Sequence, residues 1–184
     1  MTNWLDWHLA YDDPSSPLAR RLEAVRRCVD VALERTRCQE PRLLSLCAGD
    51  GRDVIPVLAK RGIAFSCPAL LVEQDDDLAR RATAAAATAG LVDLEVRCAD
   101  ASDPATFADH VPADVLLLCG IFGNVAPADV ETVIAALPML LADHGFVIWT
   151  RGASDPDMRP QIREWFVGAG WNELSFDGSP EPFG

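Results

Sequence analysis

Four places along this 184-residue chain carry residues whose types and spacing could hold a ligand. The first is the run Cys47-Ala48-Gly49-Asp50-Gly51-Arg52-Asp53, which follows an apolar stretch and precedes a helix-like one. Glycines at 49 and 51 permit positive φ and close approach of the backbone, and the helix that follows offers free N–H groups to an anionic group. The second is Glu73-Gln74, twenty-two residues beyond Gly51. An acid at that distance, on the tip of the neighbouring strand, is the expected partner of a ribose diol. The third, Asp100-Ala101, puts a carboxylate where it could accept a hydrogen bond from an exocyclic amine, although Asp100, Ser102 and Asp103 suit equally as caps of a helix beginning near Pro104. The fourth, Cys119-Gly120-Ile121-Phe122-Gly123-Asn124, is small and flexible at its start and able to lie alongside a ligand. The acids Asp75 to Asp77 read instead as the cap and first turn of a helix.

Positioning these residues requires an alternation of strands and helices, and the hydrophobic pattern supplies one. Strands are expected at 43–47, 69–73, 94–98, 114–119 and 146–150, with helices between them at 53–61, 76–89, 104–110 and 128–141. Runs apolar at nearly every position, such as Val115-Leu116-Leu117-Leu118, belong to parallel strands covered on both faces. The pattern therefore predicts an α/β fold, doubly wound around a mostly parallel sheet. Gly62, Gly90, Pro112 and Gly145 punctuate it at the joints, and Pro138 is expected to kink or split its helix. A long helix at 16–38, with Ser15 or Ser16 as N-cap and Pro17 in its first turn, precedes the first strand. Ahead of it lies an arm carrying Trp4, Trp7, His8 and Tyr11. After the fifth strand, 157–168 reads as a helix, 171–176 as a sixth strand and Asp177-Gly178 as a hairpin turn. The expected organisation is one domain, with an arm and helix at 1–41 and a core at 42–176.

Composition narrows the function. With 49% apolar and 24% charged residues the chain is of ordinary globular type. Its formal charge of −12 has the wrong sign for binding nucleic acid or anionic membranes. No stretch reaches the ~20 apolar residues of a membrane span, and residues 1–11 are too polar for a secretory signal. A cytoplasmic protein is expected. The six cysteines show no CxxC spacing and read as reduced, packed thiols, with no metal. No Gly-Lys-Ser or Gly-Lys-Thr follows the glycine turn, which excludes a P-loop nucleotidase.

Placed together, the glycine turn, Glu73, Asp100 and the Cys119-Gly120 segment resemble the class I S-adenosylmethionine-dependent methyltransferases, which have a Rossmann-like core. The resemblance runs from about residue 43 to 176. It implies that Cys47, Ala48, Gly49, Asp50 and Gly51 cradle the methionine part of S-adenosylmethionine, that Glu73 with Gln74 holds the ribose, and that Asp100 with Ala101 meets the adenine. Cys119 and Gly120 match the segment beside the transferable methyl group, and the arm resembles the lid many members fold over the cofactor. The family's acid and first glycine are here Ser45 and Cys47, so the grip on the cofactor's amino group falls to Asp50 or Asp53. The family also commonly ends in a hairpin of a sixth and an antiparallel seventh strand. Only six residues follow Gly178 here, so either the seventh strand lies outside this sequence or the edge is closed by another chain, as in a homodimer through the C-terminal edge of the sheet.

The implied activity is methyl transfer to a small-molecule acceptor. The candidate general bases are His8 and Tyr11 in the arm, with His110 and His144 reading as structural. Tyr11, Phe122, Asn124 and Arg151 are the expected acceptor contacts, by fold-level analogy. Two alternatives share the fold. One is a non-catalytic S-adenosylmethionine-binding or interaction module. The other is an NAD(P)-dependent oxidoreductase, whose fingerprint would put Val54 where a third glycine is needed for close helix packing.

Overall fold

Strands form in this chain where consecutive apolar residues leave no polar face, and helices where the apolar positions fall on one side. In the computed structural model, which describes residues 9–62, 64–153 and 155–178, this yields a sheet of five parallel strands in the order β3-β2-β1-β4-β5. The strands are β1 (Leu43–Leu46), β2 (Ala69–Glu73), β3 (Leu94–Cys98), β4 (Ala113–Cys119) and β5 (Leu141–Thr150). Every residue of β1 and β2 is buried, as expected when helices cover both faces. The helices are α1 (Pro17–Arg35), α2 (Ile55–Arg61), α3 (Asp76–Thr88), α4 (Pro127–Leu140) and α5 (Arg159–Gly168). Side chains of α1, α2 and α3 form one core with Leu43, Leu71, Val115 and Leu117. Those of α4 and α5 form the other with Leu44, Leu70, Leu116 and Leu118. The sheet alternates its side chains between these two layers.

Local chemistry sets most boundaries. Ser16 Oγ accepts the Ala19 N–H at 3.0 Å and Pro17 opens α1, as its sequence predicts, but the helix ends at Arg35, short of the expected end at 38. Asp75 caps α3 by accepting from Asp77 and Leu78. Gly62, at φ 78°, terminates α2. Pro138 neither splits nor ends α4, which continues to Leu140; it gives up its own i→i−4 hydrogen bond, but so near the end only two helical residues follow it.

Three expectations are corrected. The helix expected at 104–110 is a single 3-10 turn, Pro104–Thr106, capped by Asp103. Here Asp100 accepts from the Ser102 N–H, and the Thr106 hydroxyl donates to the Asp103 carbonyl, local bonds that compete with a helix. The fifth strand starts five residues early, at Leu141. Its register jumps so that Ala113 faces Leu141 while Val115 faces Phe146, and the intervening excursion holds His144 at φ 65°. Residues 171–176 are not a strand. With no hairpin partner among the described residues they have no ladder to join, and side chains hold them instead. Arg163 pairs with Glu173 at 2.6 Å and stacks over Phe176, while Trp171 and Phe176 meet Phe166 and Trp149. The expected turn at Asp177-Gly178 leads into residues outside those described.

The outer edge strand β3 has no fully buried residue, with Glu95 and Cys98 exposed and the rest half-buried. Across it Arg97 reaches both Glu95 and Asp109, at 2.5 and 2.6 Å.

Candidate functional site

Strand order reverses between β1 and β4, and ligands of open α/β sheets bind beyond the carboxyl ends of the strands at such a point. The glycine turn leaves β1 there. Cys47 takes φ 54°, Gly49 59° and Gly51 71°, so three of five residues lie in the left-handed region, one of them a cysteine. Gly51 is required twice over: a Cβ there would come within 2.6 Å of Ile55 Cδ1 and 2.8 Å of Leu71 Cδ2. Ala48 is buried and its N–H donates to the Val72 carbonyl at 3.0 Å, extending the ladder with β2 by one residue.

Glu73 ends β2 and is 9% exposed. Its Oε2 accepts the Gly49 N–H at 2.7 Å and its Oε1 the Asp75 N–H at 2.8 Å. One carboxylate thus ties the glycine turn to the start of α3. Each ionised carboxylate oxygen can accept more than one hydrogen bond, so Glu73 keeps acceptor capacity for a ligand. Gln74 is exposed, and its carbonyl faces the Cys98 thiol at 3.7 Å. Asp100 is exposed and engaged with Ser102, whose N–H holds its carboxyl below the usual range; Ala101 packs on the second core. Both stand at the end of β3, as their place in the sequence predicts.

The glycine turn carries two further acids with different surroundings. Asp50 is clamped by Arg52, whose Nε and Nη2 both reach it at 2.5–3.0 Å. Asp53 is half-buried as a residue, yet its Oδ1 is shut off from solvent and has no hydrogen-bond partner among the described residues. Burial, reinforced by Asp50, raises its pKa to about 6 against the lowering influence of Arg21 and local backbone N–H groups. Asp53 also acts electrostatically on Tyr11 and Cys119, and so lies near both the arm and the end of β4.

At that end, Cys119 is a thiol whose burial pushes its pKa far up, so it stays protonated. Gly120, at φ 87°, has nothing within 4 Å of where a Cβ would stand, and its N–H donates to the Thr150 hydroxyl at 3.0 Å, bracing β4 against β5. Asn124 donates to the Gly120 carbonyl at 2.7 Å, and Arg151 donates to the Phe122 carbonyl. Asn124 and Arg151 therefore shape the loop. Phe122 does not face a ligand, contrary to expectation: it is fully buried against Trp149 and Phe166, the aromatic that anchors the loop to the second core.

Of the candidate bases, His8 lies outside the described residues. Tyr11 is placed over the glycine turn: its ring lies 4.7 Å beneath the Arg52 guanidinium and its hydroxyl accepts from Arg21 Nη2 at 2.5 Å. Burial raises its pKa, which keeps it a phenol and makes it a covering group. The Nε2 of His110 lies 3.0 Å from the carbonyl of Leu43, at the amino end of β1, and His144 sits in the β5 excursion. Both are remote from the carboxyl ends. What the sequence does not reveal is the Arg21–Tyr11–Arg52 stack, because the partners lie on three separate segments and none belongs to a motif.

No family model matches the sequence, and no curated protein matches it. Solved structures do match the fold. The precorrin-6y C5,15-methyltransferase of Geobacter metallireducens is 16% identical over 80% of this chain and 70% of its own, with a TM-score of 0.57. A SAM-dependent methyltransferase from Geobacter sulfurreducens, in complex with S-adenosyl-L-homocysteine, is 14% identical over 83% of this chain and 65% of its own, at 0.59. A third structure, described as the precorrin 8w decarboxylase of Methanobacterium thermoautotrophicum, is 12% identical over 81% and 72%, at 0.60. The chain spans as little as 35% of the length of other matched structures. The fold is that of the class I methyltransferases.

Proposed function

We propose that this chain binds S-adenosylmethionine and transfers its methyl group to a small-molecule acceptor. The observation that carries the reading is the Asp53 carboxylate beside the glycine turn, whose Oδ1 is shut off from solvent with no partner among the described residues. An unpaired buried carboxylate is costly unless a cation or donor completes it, and the amino group of a methionine-derived ligand is such a cation. A dinucleotide would instead bring its pyrophosphate to the start of α2, where Asp50 and Asp53 repel it. Val54, fully buried at that helix's N-terminus, also stands where the dinucleotide fingerprint needs a glycine.

In this reading Asp53 pairs with the amino group, the spare acceptor sites of Glu73, with Gln74 beside it, hold the ribose hydroxyls, Asp100 and Ala101 border the adenine, and Cys47 to Gly51 pass beneath the methionine. Cys119 and Gly120 border the reacting carbon, Gly120 because it leaves space. The bound sulfonium supplies an activated methyl group, and in-line displacement demands chiefly that donor and acceptor be held in alignment. Tyr11 covers the turn and helps exclude water. Asn124 and Arg151 set the loop that flanks the acceptor.

Isothermal titration of the purified chain with S-adenosylhomocysteine, with NAD and NADP run in parallel, tests the reading. Micromolar binding of the thioether alone is expected. Binding of a dinucleotide alone, or of none of the three, overturns it. Thioether binding followed by no methyl transfer across an acceptor screen would favour a non-catalytic cofactor-binding module.

A further inference from the structure

A cavity of about 840 Å³ opens on the outer side of the glycine turn. Its floor is the start of the short helix α2, at Ile55 and Pro56, and its walls are α1 on one side and α3, at Arg81 and Ala85, on the other. Gly49, Glu73 and Gly120 take no part in it; it meets the proposed cofactor site only through Asp50, Arg52 and Tyr11. The volume is that of sites that enclose small organic molecules.

Its charge runs against that of the chain. Five arginines line it, Arg20, Arg26, Arg27, Arg52 and Arg81, against four carboxylates, whereas the whole sequence has 16 basic residues to 28 acidic. Three of those carboxylates are already engaged. Asp50 is clamped by Arg52, Asp12 lies 3.8 Å from the same guanidinium, and Glu23 pairs with Arg26 at 2.5 Å. Arg27, from α1, and Arg81, from α3, have no hydrogen-bond or ion-pair partner among the described residues. Guanidinium groups on opposite walls of a cavity, above an apolar floor, match a ligand with anionic groups on a compact apolar body, since each can take a carboxylate or phosphate bidentately.

We propose that this cavity is a second binding site, for a small organic anion carrying carboxylate or phosphate groups on an apolar body and held between Arg27 and Arg81. The proposal stands apart from the methyl-transfer reading, because none of the residues that would grip the ribose or border the methyl group takes part in it.

Calorimetric titrations of the full chain with phenyl phosphate, with phthalate and with neutral benzamide test it. At least one anion is expected to bind and benzamide not to. Which anion binds tells a phosphate ligand from a carboxylate one. The double variant Arg27→Ala, Arg81→Ala, which removes two exposed side chains, should weaken that binding about tenfold or more while leaving the thermal midpoint and S-adenosylhomocysteine binding unchanged. Failure of both anions to bind, equal binding of benzamide, or equal anion binding by the double variant overturns the proposal. Because the thioether is titrated into the same samples, its failure to bind is read separately.

Discussion

A carboxylate buried with an unpaired oxygen, as Asp53 is, costs stability whenever it is charged. Its folded pKa of about 6 lies above the ordinary 3.8, so between about pH 4 and pH 6 the folded chain keeps a proton that the unfolded chain has lost. Stability therefore falls as pH rises through that window and stays lower above it, by on the order of 3 kcal/mol for two pH units. Asp53→Asn should recover much of this at pH 8 and almost none at pH 4, while weakening S-adenosylhomocysteine binding; urea denaturation at the two pH values and calorimetry check the two halves. Cys47 holds φ 54°, a conformation that costs a non-glycine residue about 1–2 kcal/mol. Cys47→Gly should accordingly stabilise the chain by roughly 0.5–1 kcal/mol in denaturant titration, the remainder being lost to glycine's unfolded freedom. The two glycines at 51 and 120 separate packing from ligand space. Gly51→Ala should cost about 3 kcal/mol, its collisions with Ile55 and Leu71 adding to the strain of a positive φ. Gly120→Ala, with open space around it, should cost about 1 kcal/mol from φ alone and show its main effect in thioether affinity.

At the scale of elements, Glu73 works as a clasp between the β1 turn and α3. Glu73→Gln replaces one accepting oxygen by a donor that faces an N–H, so it should cost about 1–3 kcal/mol of stability together with thioether affinity; a loss of affinity at unchanged melting temperature would show that the clasp contributes nothing. That Glu73 sits at a strand tip was legible, because β2 is a short apolar run stopped by an acid. Its two backbone partners were not, since Gly49 and Asp75 meet it only once β1 and β2 pair. The five strands and five of the six expected helices were legible for the same local reason, an apolar run or stripe bounded by Gly, Pro or a capping acid. The segment after β3 misled because Asp100, Asp103 and Thr106 satisfy their own backbone, which periodicity does not register. The 171–176 segment misled because Leu174 and Phe176 are spaced as in a strand, yet Trp171 and Phe176 serve as anchors against Phe166 and Trp149. Phe122 shows the same limit within the site: in sequence it belongs to the flexible loop, in space to the core.

Across the whole molecule, a formal charge of −12 makes the folded chain repel itself. Raising sodium chloride from low to moderate concentration should raise the thermal midpoint by a few degrees, and a flat response would mean that ion pairs such as Arg163–Glu173 already offset the repulsion. The doubly wound layout keeps tasks apart: His110 ties the amino end of β1, while Glu73, Asp53 and Gly120 gather at the carboxyl ends. The outer edge at β3 has a bearing on how the protein survives in a crowded solution. An uncovered edge strand can recruit another chain into a growing β-stack. Arg97, stretched between Glu95 and Asp109 across that edge, puts three charges where an incoming strand would have to lie. Replacing Arg97 and Glu95 by valine would leave a smooth apolar ribbon, and the chain's shelf life at high concentration would then be set by aggregation rather than by unfolding.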